Sequence, residues 1–210
     1  MCWSATADLV AGAGITAVGV ACMARVHRAR DLPLAALPLL LGAHQIIESV
    51  VWRSGGGAGP ATLAWAVIAL PVLAVWVPFA VLLAAPPRAR RRLMIPAAIG
   101  LGTAAALSYF LIHRTVTAEI RGHTVGYALG LPHTPLFVVA YLLATVGALL
   151  MSGDPAVRLL GLVVGYGAVL CAALWRLEFI STWCALAAVA SVLVLVWTRR
   201  LPAVHRPRTG

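Results

Sequence analysis

The chain has 210 residues, of which 62% are hydrophobic and 10% charged, and its formal net charge is +10. Soluble domains carry roughly 25% charged residues, so this chain cannot cover a water-facing surface and lipid must be its main solvent. That leaves room for one membrane bundle over residues 1–200 and a short basic tail over 201–210, and excludes an attached soluble catalytic domain.

A helical span needs about 20 mostly apolar residues. Seven runs meet or approach that requirement: Trp3 to Ala24, Leu32 to Trp52, a stretch within Pro60 to Ala85, Leu93 to Ile112, Thr134 to Met151, Leu159 to Trp175 and Phe179 to Thr198. The first run begins almost at Met1 with no basic segment before it, so it reads as a retained span rather than a cleaved signal. Small residues recur at helical spacing in three runs: Gly12, Thr16 and Gly19, then Gly100, Ala104 and Ser108, then Gly161 and Gly165. Such faces let helix backbones approach closely in lipid. Pro33, Pro38, Pro71 and Pro78 are expected to bend the second and third runs.

Every basic side chain is Arg, and the arginines alternate between gaps. Twelve lie after runs one, three, five and seven, and four lie in the opposite gaps. The positive-inside rule places the twelve in the cytoplasm, with the N-terminus outside and the C-terminus inside the cytoplasmic membrane. The same distribution explains the basic balance without nucleic acid. The long segment from His113 to His133, broken by Gly122, Gly126, Gly130 and Pro132, is expected to be a loop or short helix on the outer surface, able to fold over the bundle mouth.

This orientation gathers the polar residues at one face. Cys2, Trp3, Ser4 and Asp8 fall at the outer end of span one. His44, Gln45 and Glu48 fall in the outer half of span two. His113, His123 and His133 fall on or near the outer segment, and Glu178, Ser181, Trp183 and Cys184 at the turn into span seven. His44 and Glu48 are four residues apart and share one helix face. A carboxylate inside a membrane usually points into the bundle or a wet cavity. Such a pair could ligate a metal ion or serve as base and orienter in catalysis. It could also be a structural pair, or Glu48 could stay solvated at an interface marked by Trp52. Cys2 and Cys184 could pair as a disulfide, remain free, or join His44, Glu48, His113 and His123 as ligands of a transition metal ion. Cys22 and Cys171 read as core residues. The chain lacks H-E-x-x-H, G-x-S-x-G and phosphate-binding glycine loops. Run seven has no Lys for a retinal Schiff base and no His of the kind found in seven-span zinc hydrolases related to ceramidases.

Three stretches together carry a resemblance: Met1-Cys2-Trp3-Ser4-Ala5, His44-Gln45 with Glu48 and Trp52, and Phe179-Ile180-Ser181-Thr182-Trp183-Cys184. They resemble a family of small bacterial multipass membrane proteins known only as a domain of unknown function. The resemblance carries no activity. It implies that Cys2, Trp3 and Ser4 belong with Ser181, Trp183 and Cys184 in one site. The expectation is therefore an all-α, seven-helix membrane bundle with an outward-facing His/Glu/Cys site that binds metal and could be enzymatic. The alternative is a non-enzymatic transporter of a small solute or lipid, or a membrane sensor. Oligomeric state is not readable from the sequence.

Overall fold

The described residues of the computed structural model are 4–174 and 186–201. They form a helical bundle with one β-hairpin. The helices are α1 (Ala5–Met23), α2 (Leu32–Ala35), α3 (Leu37–Arg53), α4 (Pro60–Val67), α5 (Leu73–Ala84), α6 (Pro87–His113), α7 (Thr134–Met151), α8 (Pro155–Leu174) and α9 (Leu186–Arg199). Five helical segments are long and apolar enough to cross a membrane: Ala5–Met23, Ala29–Arg53, Pro60–Ala84, Pro87–His113 and Thr134–Met151. The last two runs appear as the apolar helices α8 and α9, and the start of run seven lies outside the described residues. Val10, Val20, Leu63, Ile95, Leu101, Leu162 and Val169 all stand exposed on the helices. A surface this apolar over several helices is suited to lipid rather than water.

α1 lays a narrow seam against α3. Asp8, Gly12, Ile15, Gly19 and Cys22 are its buried residues, alternating by four and three. The α3 side of the contact includes Gly42: a Cβ there would stand 2.9 Å from the Gly12 carbonyl oxygen and from the Thr16 amide. A Cβ at Gly12 would in turn meet the Gly42 carbonyl at 3.0 Å. The two backbones touch because neither side chain is there to part them, the small-residue packing expected in lipid. α1 also packs on α9, so the first and last helices are neighbours. Cys22, Val194 and Trp197 belong to the main core cluster, and Cys171 is also buried, as expected of core cysteines.

Pro33, Pro38 and Pro71 interrupt their runs in two ways, while Pro78 lies inside the continuous α5. Run two is broken: a 3₁₀ turn at Ala29–Asp31 and the short α2 precede α3, which restarts with Pro38 in its first turn. Trp76 Nε1 donates to the Pro33 carbonyl at 2.9 Å, satisfying an acceptor next to the break. Run three widens into a π-helical segment, Ile68–Val72, around Pro71, which has no N–H to give. Within it the Ala69 carbonyl accepts from the Tyr141 hydroxyl at 2.7 Å. Run four starts well before its apolar pattern, at Pro87, because Arg88 and Arg90 to Arg92 continue the helix beyond the apolar stretch.

The segment after α6 is the main departure from the sequence reading. It is an antiparallel hairpin, β1 (Thr117–Arg121) and β2 (Thr124–Ala128), where a loop or short helix was expected. Arg121 pairs with Thr124, so the turn is Gly122-His123. Gly122 has φ +59°, the conformation that two-residue hairpin turns demand of a glycine. In β1, Ala118 and Ile120 turn inward while Thr117, Glu119 and Arg121 face out, and Glu119 and Arg121 form an ion pair of 2.6 Å. The free edge of β1 is tied down by reciprocal backbone hydrogen bonds between Ala118 and Gly57, at 2.7 and 3.1 Å. The preceding Gly56 has φ +79°, and a Cβ there would strike the Ala118 carbonyl at 2.6 Å. The glycine-rich loop after α3 is thus shaped to receive the hairpin. Val51, Ala118 and Val125 seal the contact in a small core.

Candidate functional site

The hairpin does fold over the bundle end, where it meets Glu48, Val51 and Trp65. Glu48 is 0% exposed and His44 2% exposed. They lie one turn apart on the side of α3 that continues into Val51 and meets the hairpin. Gln45, also buried, begins the neighbouring face with Ser49. A solvated Glu48 at the membrane interface is ruled out by this burial.

Two aromatic residues complete the surroundings of the pair. Trp65 of α4 is fully buried, with its ring centroid 4.8 Å from that of His44. Tyr127 of β2 stacks on Trp65, its plane 5° from that of the indole and the centroids 3.4 Å apart. The Tyr127 hydroxyl donates to Glu48 Oε1 at 3.4 Å, a long hydrogen bond spanning 79 residues of sequence. Strand alternation explains the reach: Val125 and Tyr127 are two apart and so point to one side, toward the bundle. His44, Trp65 and Tyr127 therefore form a stack from α3 through α4 to the hairpin, with Glu48 beside it.

Asp8 of α1 lies at the same end. It is 0% exposed and neither of its carboxylate oxygens has a hydrogen-bond partner among the described residues. The indole of Trp52 lies beside it but outside hydrogen-bond geometry, and Trp52 Nε1 is itself buried without an acceptor among the described residues. The α1 seam brings Asp8 to this level, one turn before the Gly12 contact.

The other sequence candidates separate into three groups. Ser4 caps α1: its hydroxyl accepts from the Ala7 amide at 3.2 Å, the ordinary role of serine before a helix. His113 is exposed at the end of α6, with Nδ1 2.8 Å from the Tyr109 carbonyl oxygen and its ring 4.2 Å from that of Tyr109. His123 sits in the exposed hairpin turn, and His133 caps α7 in the left-handed region with φ +51°. The hairpin carries His123 at its exposed tip while turning Tyr127 inward, and α6 ends with His113 exposed, whereas His44 is buried. Among the described residues no three His, Cys, Asp or Glu side chains gather in a metal-binding group. Cys2, Trp3, Glu178, Ser181, Trp183 and Cys184 lie outside the described residues.

Trp65 and Tyr127 were not singled out as site residues by the sequence reading. The available signal was the alternation Thr117-Ala-Glu-Ile-Arg121 and Thr124-Val-Gly-Tyr-Ala128 about a Gly-His pair, which predicts a hairpin and puts Tyr127 on its apolar side. No local pattern ties Trp65 to His44.

No curated protein and no solved structure matches the chain. The model of a family described as a family of unknown function, DUF6629, matches residues 1–209, and the chain belongs to that family.

Proposed function

We propose that this is a membrane-embedded cation-binding protein of the cytoplasmic membrane, with its site at the hairpin end and that end facing outward. The observation that carries the reading is Glu48. A fully buried carboxylate inside an apolar span is costly, and it is usually kept for binding, transport or proton movement. Here it is flanked by His44 one turn away and contacted by Tyr127 from a hairpin laid across the bundle end. The hairpin acts as the roof of the site. The arginine asymmetry supports the outward direction.

A transition metal ion is the cation that His44 and Glu48 suit best by ligand type. The described residues supply only two of its ligands, so a complete shell would draw on Cys2 and Cys184. With a metal bound, the site could polarise a water or a substrate carbonyl, which is the enzymatic form of this reading. Elemental analysis of protein purified in mild detergent tests it. Wild type should carry a metal near one per chain, and Glu48→Gln should lose it while still folding. Metal-free wild type, or full metal content in Glu48→Gln, would overturn the proposal.

A further inference from the structure

Asp8 is a second buried carboxylate, on a different helix, and the Glu48 reading does not use it. A charged side chain taken out of water without hydrogen bonds is so unfavourable that buried charges are paired, coordinate a cation or are neutralised. Asp8 meets none of these needs within the described residues. Its oxygens accept no hydrogen bond there, and the ion pairs among those residues are Arg30 with Asp31 and Arg121 with Glu119. Its carboxylate sits on the tight face of α1, where Gly12 and Gly42 hold the helices too close for a long basic side chain to enter. What fits against a carboxylate in such a place is small and positive.

We propose that Asp8 is a cation site: it binds a proton or a small metal cation between α1 and α3, beside the Trp52 indole. The bound cation supplies the charge that no described side chain in this seam supplies. Neutralised, Asp8 can stay in the seam and α1 can close on α3. Ionised and bare, it pushes α1 toward water. The site therefore couples cation occupancy to the packing of the first helix.

The groups that face Asp8 are few. α1 packs on α3, α9 and α2. α3 brings Glu48 at this level, the exposed Arg53 just beyond Trp52 and His44 a turn deeper, α2 brings no titratable group, and α9 brings only Arg199 at its far end. Glu48 is thus the one other carboxylate on these helices whose occupancy could be confused with that of Asp8. A Glu48→Gln background removes it and separates this proposal from the preceding one.

The test is the thermal unfolding midpoint of full-length protein in detergent, comparing each background with and without Asp8→Asn. It is run from pH 5 to 8, with added sodium, potassium, calcium or zinc chloride and choline chloride as the ionic-strength control. With Asp8 present, the midpoint should rise by about 5 °C or more when the right cation is saturating. In the Glu48→Gln background, Asp8→Asn should lack this rise and be at least as stable as the cation-free parent. A rise on acidification alone identifies the proton, and a rise with one metal salt at constant pH identifies that ion. Both patterns should persist in the Glu48→Gln background. A midpoint difference between the parent and Asp8→Asn chains that stays constant across pH and salts would overturn the proposal. So would loss of the effect on acetylating the α-amino group, which would make the chain's own terminus the cation.

Discussion

Gly42→Ala tests the closest helix contact between α1 and α3. The added Cβ would lie 2.9 Å from the Gly12 carbonyl oxygen and the Thr16 amide, with the Thr16 hydroxyl also in its way. Two of these are backbone atoms, so no rotamer change relieves the clash. Ordinary carbon contacts fall at about 3.5–4.0 Å, so α1 must move off α3 by about 0.5–1 Å. A gap of that size forfeits roughly a quarter to a half of each dispersion contact along the seam. Overpacking of this kind costs about 1–3 kcal/mol. The helix-propensity gain of replacing Gly, up to about 1 kcal/mol, works in the opposite direction. Gly14→Ala is the control for it. Gly14 is also mid-helix, in α1, but a Cβ there meets nothing within 4 Å. Reversible unfolding in mixed micelles should place Gly42→Ala about 1–3 kcal/mol below Gly14→Ala. Equal stabilities for the two variants would refute the α1–α3 packing, and with it the placement of Asp8.

Two further substitutions probe the hairpin and the bundle. Tyr127→Phe keeps the stack on Trp65 and removes the hydroxyl on Glu48, so it should cost only about 0.5–1.5 kcal/mol, whereas Tyr127→Ala also loses the stack and should speed amide hydrogen exchange across residues 117–128. Asp154→Ala should cost about 1 kcal/mol in the same unfolding assay. The Asp154 carboxylate accepts from the Ala156 and Val157 amides at 2.8 and 3.2 Å and so caps α8.

Much of the bundle was legible because lipid imposes long apolar runs. The fifth run, Thr134 to Met151, coincides with α7, and the third fits α4 through α5 within a residue. Misjudged boundaries have a common cause: α6 extends through arginines that sit beyond the apolar stretch yet are good helix formers. Pro71 signalled a bend, but not that the chain would answer with a π-helical segment. The glycines from Gly122 to Gly130 masked the two-residue alternation that makes the hairpin. For the site, helical spacing put His44 and Glu48 on one face, and both are buried there. Tyr127 and Trp65 come from 79 and 17 residues beyond Glu48, and only tertiary packing brings them there. His113 and His123, by contrast, are exposed. His113 and His123 share a segment with Tyr127, but strand direction and helix termination turn them to the surface.

The proposed outward-facing site rests on the membrane orientation, which can be measured directly. In a chain with Cys2 and Cys184 replaced by Ser, His123→Cys puts one new thiol at the hairpin tip and Arg91→Cys puts one in the opposite arginine cluster. Cys22 and Cys171 are buried in the bundle. A membrane-impermeant maleimide applied to intact cells should label the hairpin variant at once and the arginine-cluster variant only after permeabilisation. Labelling of Arg91→Cys in intact cells, with His123→Cys protected, would contradict the account.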